Sequence, residues 1–238
     1  MFDKKIKKER NIPVVSGGTS ENIILVPKEI SLCSGIIING KRIKSLIFTT
    51  DIAIIMNNNA DAILAVYPFT PHPSIFSAIT SVAHMPIFAG VGGGTTKGAR
   101  SRDMALLAEA QGCIAVVLND PAPIETFEII SKSVICPIVA TIVSKYSDFE
   151  KKIEAGASIL NVSGGADTVN IVKKIREINT DIPIIATGGP TSESIIKTIE
   201  AGANAISYTP PSSGELFRIK MDKYRESSKE NFIDNKNI

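Results

Sequence analysis

The feature that most constrains this chain is an alternation. Short apolar runs, rich in β-branched residues and too short to be helices, recur between longer amphipathic stretches. The clearest runs lie at 62–67, 86–90, 113–118, 137–143, 158–162, 183–187 and 205–208. Between or after them, segments 73–83, 101–111, 124–133, 147–155, 168–179, 192–201 and 214–224 carry apolar residues at three- and four-residue spacing, as in Ile171, Ile175 and Ile178. Asp167 or Thr168 is placed to cap the helix expected at 168–179. Parallel strands need a crossover between them, and a helix is the usual one. The alternation therefore predicts a parallel sheet with helices packed on it.

A second-order repeat supports this reading. Four strands are led in by small residues: Ala60 to Ala62, Gly112, Gly156-Ala157 and Gly202-Ala203. The intervening strands follow Pro86, Pro137 and Pro183. Proline suits a first strand position and glycine suits a helix C-terminus. An eighth run, 45–49, precedes a short helix from Asp51. The run at 13–16 competes for the same place. The first is preferred because a structureless loop of about 45 residues would be unusual. Eight strand–helix units predict a closed (β/α)8 TIM barrel over residues 44–226. An open doubly wound sheet is the alternative, usually with fewer strands. Residues 1–43 form an extension in which IIINGKRI at 36–43 predicts a β-hairpin turning at Asn39-Gly40, placed to close the barrel floor. The polar segment 227–238 is expected to be a flexible, frayed tail.

Composition narrows the function classes. The 238 residues are 44% hydrophobic but only 5% aromatic, without tryptophan, so the core is aliphatic. A formal charge of +2 gives little support for a nucleic-acid partner. The basic run Lys4, Lys5, Lys7, Lys8 and Arg10 reads as a solvated start. No apolar stretch follows it as a secretory leader would require, and none approaches a membrane-helix length. Cys33, Cys113 and Cys136 have neither paired nor metal-like spacing, which predicts reduced thiols and a cytoplasmic setting. His72 and His84 are too few and too far apart for a zinc site, and no metal site is expected.

In such a barrel, function gathers where strands end and βα loops begin. Those ends supply Asp51, Asp120, Asn161 and Lys145 as candidate catalytic groups. Asp51 and Asp120 could act as an acid–base pair, although each is also a ready helix cap. Asn119 and Asn161 could orient a carbonyl or hydroxyl, and Asn161 is the stronger, since an amide on a buried strand needs partners. Lys97 and Lys145 are the candidate amines, with a solvated surface role favoured for Lys145. His72, between two prolines, is a weak base candidate. The run Gly92-Gly93-Gly94-Thr95-Thr96-Lys97 has the backbone freedom to wrap a phosphate or a flavin (FMN), or to act as a mobile lid. It lacks P-loop spacing. After the last two strands, Gly188 and Gly189, then Ser212, Ser213 and Gly214, offer backbone N–H groups and a helix N-terminus to an anion.

At these last two loops the chain resembles the phosphate-binding, aldolase-type TIM-barrel superfamily, which holds phosphoribosylanthranilate isomerase, indole-glycerol-phosphate synthase, sugar-phosphate epimerases and the Schiff-base aldolases. The resemblance spans roughly residues 44–224. It rests on PIIATGG at 183–189, EAGANA at 200–205 and Ser212-Ser213-Gly214, and singles out no one family. It implies a small phosphorylated ligand. Two departures stand out: Tyr208-Thr209-Pro210-Pro211 replaces a short Gly-Ser loop, and the sixth strand carries Asn161 and no lysine. The expectation is an isomerase or lyase that works without a Schiff base. A hydrolase, an FMN-binding protein and a non-catalytic ligand-sensing barrel similar to the glycerol-phosphate-responsive antiterminators remain open alternatives. A homo-oligomer is also open; a membrane partner is not expected.

Overall fold

The structure, a computed structural model, describes residues 13, 15 and 23–234. The basic residues Lys4 to Arg10 lie outside this set. Two short strands, β1 (Ile36–Ile38) and β2 (Lys41–Ile43), pair antiparallel around Asn39-Gly40. Eight parallel strands follow: β3 (Ser45–Phe48), β4 (Ala62–Ala65), β5 (Ile87–Gly92), β6 (Ala115–Leu118), β7 (Ile138–Ile142), β8 (Ile159–Val162), β9 (Ile184–Thr187) and β10 (Ala205–Tyr208). They close into a barrel through β10 and β3, where Ser207 stands opposite Leu46. That closure excludes the open sheet, and β3 takes the place for which residues 13–16 competed.

The helices are α1 (Ile52–Met56), α2 (Pro73–Val82), α3 (Gly98–Ala110), α4 (Ile124–Ser131), α5 (Phe149–Glu154), α6 (Thr168–Ile178), α7 (Ser192–Glu200) and α8 (Ser213–Asp234). The alternating lead-ins have a mechanical basis. Pro86, Pro137 and Pro183 immediately precede β5, β7 and β9. Their nitrogens cannot donate, but their carbonyls accept from Ile63, Val116 and Leu160 on the preceding strand at 2.8, 3.0 and 2.9 Å. The small-residue lead-ins instead stop a helix: Gly156 and Gly202 have φ of +113° and +115°, values a side chain would resist.

Two layers of side chains form on the strands. One set faces the helices. The other alternates inward, where Leu46, Ala62, Leu64, Phe88, Ala115, Val117, Val139, Ile159, Ile185 and Ala205 form one cluster. Ile36, Ile38 and Ile43 of the hairpin belong to the same cluster, so the hairpin seals the floor. Continuing the alternation upward turns the interior polar: Asn119, Thr141, Asn161, Ser163, Thr187 and Ser207 come next.

Three local expectations differ. Helix α3 begins three residues earlier than its periodicity suggests. Asp167 does not cap α6, because a 3-10 turn at Gly165–Asp167 intervenes; the Thr168 hydroxyl instead accepts from the Gly164 N–H at 3.1 Å. Helix α8 continues through the segment expected to fray, as far as Asp234, since no glycine or proline interrupts it after Gly214. No helix among the described residues is long and apolar enough to cross a membrane.

Candidate active site at the C-terminal mouth

The polar upper interior opens as a well of about 240 Å³ lined by Phe48, Leu64, Val66, Asn119, Asp120, Thr141, Val143, Asn161 and Ser163. The ends of β6, β7 and β8 set its chemistry. Thr141 donates its hydroxyl proton to Asn119 Oδ1 at 3.1 Å and accepts from Asn161 Nδ2 at 3.4 Å. Asn161 is only 6% exposed, and its Oδ1 has no hydrogen-bond partner. A buried carbonyl oxygen without a partner costs about 1–3 kcal/mol, so this atom is poised for a donor.

Asp120 follows β6 and reaches both this well and a neighbouring cleft. Its Oδ1 accepts from Lys152 Nζ at 2.6 Å, and its Oδ2 lies 3.3 Å from the Ser147 hydroxyl. Lys152 also donates to the Thr141 carbonyl at 3.1 Å. Both side chains are shielded, at 7% exposed for Lys152 and 15% for Asp120. The pair fixes the carboxylate and ties the β6 and β7 loops together. Sequence reading missed Lys152. The available signal was its place three residues after Phe149, on the inward face of α5, where both are buried.

The glycine run after β5 lines the neighbouring cleft of about 250 Å³, where Gly93, Gly94, Thr95 and Thr96 face Tyr67, Phe69, Asn119 and Asp120. Packing alone already demands part of this run. A β-carbon on Gly93 would lie 2.9 Å from Asn119 Cβ, and one on Gly92 would collide with the Ser101 hydroxyl. The Thr96 hydroxyl oxygen is buried without a partner.

The expected anion loops form a third cleft, of about 540 Å³, lined by Thr187, Gly188, Gly189, Ser192, Tyr208 and Glu215 among others. Gly188 has its own structural reason: a β-carbon there would stand 2.8 Å from Ile195 and 2.9 Å from Ile206. Both helix ends facing the cleft are capped from within. On α7, Thr191 and Ser194 form a reciprocal capping box. On α8, Glu215 accepts from the Ser212 N–H and hydroxyl, both at 2.8 Å, and these contacts hold its carboxyl below the usual range. Among the described residues Glu215 is the one charged side chain lining the cleft, and it is acidic.

The remaining candidates sit apart from the well. Asp51 caps α1, accepting at Oδ1 from the Ala53 and Ile54 N–H groups at 2.8 and 3.3 Å. Its Oδ2 accepts from the Ser213 hydroxyl at 2.5 Å. That bond above all, then the two backbone bonds, pulls its pKa below the ordinary 3.8. Asp51 and Ser213 are thus brought together, and Asp51 is not brought to Asp120. Ser212 and Gly214 flank this contact at the start of α8. Lys145 is exposed, with Nζ 5.4 Å from the Tyr146 ring centre. His72 caps α2 by accepting from the Ser74 N–H at 3.2 Å. Cys33, Cys113 and Cys136 are free thiols away from the mouth.

No family model matches the chain, and no curated protein matches it by sequence. Solved structures do share its fold. Phosphonopyruvate hydrolase in complex with oxalate and Mg2+ is 14% identical, with a TM-score of 0.57 over 82% of this chain and 83% of that one. Phosphoenolpyruvate phosphomutase from Streptomyces platensis is 13% identical, with a TM-score of 0.54 over 80% and 83%. The 4-hydroxy-tetrahydrodipicolinate synthase from Methylacidiphilum fumariolicum is 15% identical, with a TM-score of 0.55 over 69% and 67%. At these identities the likeness is one of fold. Among the described residues no group of three or more His, Cys, Asp or Glu side chains is placed to hold a metal ion. The donor set of the well among the described residues, a single carboxylate already paired with Lys152, does not fit a carboxylate-bound Mg2+.

Proposed function

We propose that this chain is an enzyme that isomerises or cleaves a small carbonyl metabolite in the well at the barrel mouth, without a Schiff base. The observation that carries this reading is the juxtaposition of the Lys152-held carboxylate of Asp120 with the unpartnered Oδ1 of Asn161. A carboxylate fixed by a cation and a hydroxyl is positioned to take a proton from a carbon or hydroxyl beside a carbonyl. The asparagines orient that substrate by hydrogen bonds. A Schiff base is disfavoured by position: β8 carries Asn161 where an inward amine would stand. The buried amine, Lys152, is engaged by Asp120 and by the Thr141 carbonyl.

A phosphate or other oxyanion on the substrate would occupy the cleft between the β9 and β10 loops, against Gly188 and Gly189, with Ser212, Ser213 and Gly214 beside it at the start of α8. Glu215 opposes full negative charge there, so anion affinity should be modest in the native protein. The test is incubation with phosphorylated and unphosphorylated hydroxycarbonyl compounds, with products followed by NMR. Asp120→Asn should lower kcat by about 10²–10⁴ with KM little changed. Full turnover by that variant, or none by the native protein on any such compound, would defeat the proposal. Binding without turnover would favour a ligand-sensing role.

A further inference from the structure

The hydrogen-bond polarity of the well specifies more than a generic carbonyl. Asn119, Thr141 and Asn161 form one chain, and Thr141 has a single hydroxyl proton to give. With that proton on Asn119 Oδ1, Asn119 keeps its amide N–H groups, and Asn161 keeps its oxygen, unpartnered and buried in the wall of the well. If both amides turned over and the proton went to Asn161, the roles would simply exchange. In either arrangement the two asparagines offer one donor and one acceptor, coupled through Thr141. A pair of this kind suits a ligand carrying a hydroxyl and a carbonyl oxygen side by side.

Charge narrows the ligand further. Among the described residues the only charged side chain lining the well is Asp120, an acid, and its partner Lys152 is not among the lining residues. A second carboxylate placed there would face like charge, with no free cation among the described lining residues to offset it. Resting on the enzyme reading above, we propose that the well recognises an uncharged hydroxycarbonyl unit, its hydroxyl donating to one asparagine and its carbonyl accepting from the other. Thr141 is a positioning residue in this scheme, because it sets which amide group each asparagine presents.

The test measures binding of dihydroxyacetone (neutral) and of pyruvate and oxalate (anionic) by ligand-observed NMR at neutral pH. The native protein should bind dihydroxyacetone in preference to both anions. Asn161→Leu and Thr141→Val should each weaken it by about five- to tenfold. Thr141→Ser, which keeps the hydroxyl, should restore native affinity; a merely structural role for the methyl group would give the reverse order. A native-like melting temperature in each variant separates lost recognition from lost folding. Should a variant unfold, the ligand preference of the native protein still decides the matter. Preference for pyruvate or oxalate would overturn this assignment and leave the enzyme reading standing. Binding of neither class would overturn both.

Discussion

Single side chains at the mouth have sharply different reasons for being there. Lys152 is buried against Asp120, and removing one member of such a pair leaves the other charged, buried and alone. Lys152→Met should therefore destabilise the protein by about 3–5 kcal/mol in urea unfolding. Adding Asp120→Asn should restore much of that loss. A single variant within 1 kcal/mol of native, on the order of a surface substitution, would mean that the pair is solvated. Asp51 works differently. Its carboxyl titrates below its ordinary value in the folded state, so its stabilisation is complete above that value and lost as pH falls through the lowered one. Ser213→Ala, which removes the largest contributor, should lower stability near neutrality and converge on the native protein as pH falls below about pH 4, so that the acid limb of the stability curve flattens. The sequence made Asp51 and Asp120 visible as acids after strands. It did not separate them, because the Ser213 contact joins residues far apart in the chain and the Lys152 contact comes from the inward face of a helix that follows the next strand.

Elements were the most legible scale. Every barrel strand falls inside or against an apolar run seen in the sequence, because strands buried on both faces need no polar alternation. Helix ends were less legible. Asp167 looks like a cap in sequence and is displaced by a 3-10 turn, whereas Glu215 looks like a surface acid and closes the first turn of α8. That second contact decides how the cleft beside it behaves. Glu215→Gln should strengthen binding of inorganic phosphate several-fold, since the amide can still accept from Ser212 without like charge. Unchanged phosphate affinity by calorimetry would remove the cleft from consideration as an anion site. The hairpin gives a cleaner contrast. Ile43 is fully buried and Ile37 is 71% exposed. Ile43→Ala should cost about 2–5 kcal/mol and Ile37→Ala about 0.5 or less, measured by denaturant midpoint at constant m.

At the scale of the whole molecule, a closed barrel has no edge strand from which to open piecemeal. The cysteines can report on this. Burial pushes the thiols of Cys33 and Cys113 up to about 11, and burial first, then Glu109, pushes Cys136 up to about 12. At pH 8 the thiolate fraction of each is then about one in a thousand or less. Labelling by an aromatic disulfide should be slow in the native protein and should rise along the same denaturant curve as loss of circular dichroism. A thiol that reacts stoichiometrically on mixing, before that transition, would show local opening instead. Barrel closure was readable from the count of strand–helix units. What the sequence left unread was the polarity of the upper interior, since Thr141 and Asn161 become partners only when β7 and β8 lie in register.

The isoleucine hairpin beneath the barrel has a kinetic consequence. With its floor sealed, the well is a blind alley whose doorway is the loop-lined mouth. In the enzyme proposed above, product would leave by the route the substrate took, and the two could not pass one another. Product inhibition should accordingly be strictly competitive, and any segment that narrows that doorway should slow arrival and departure together.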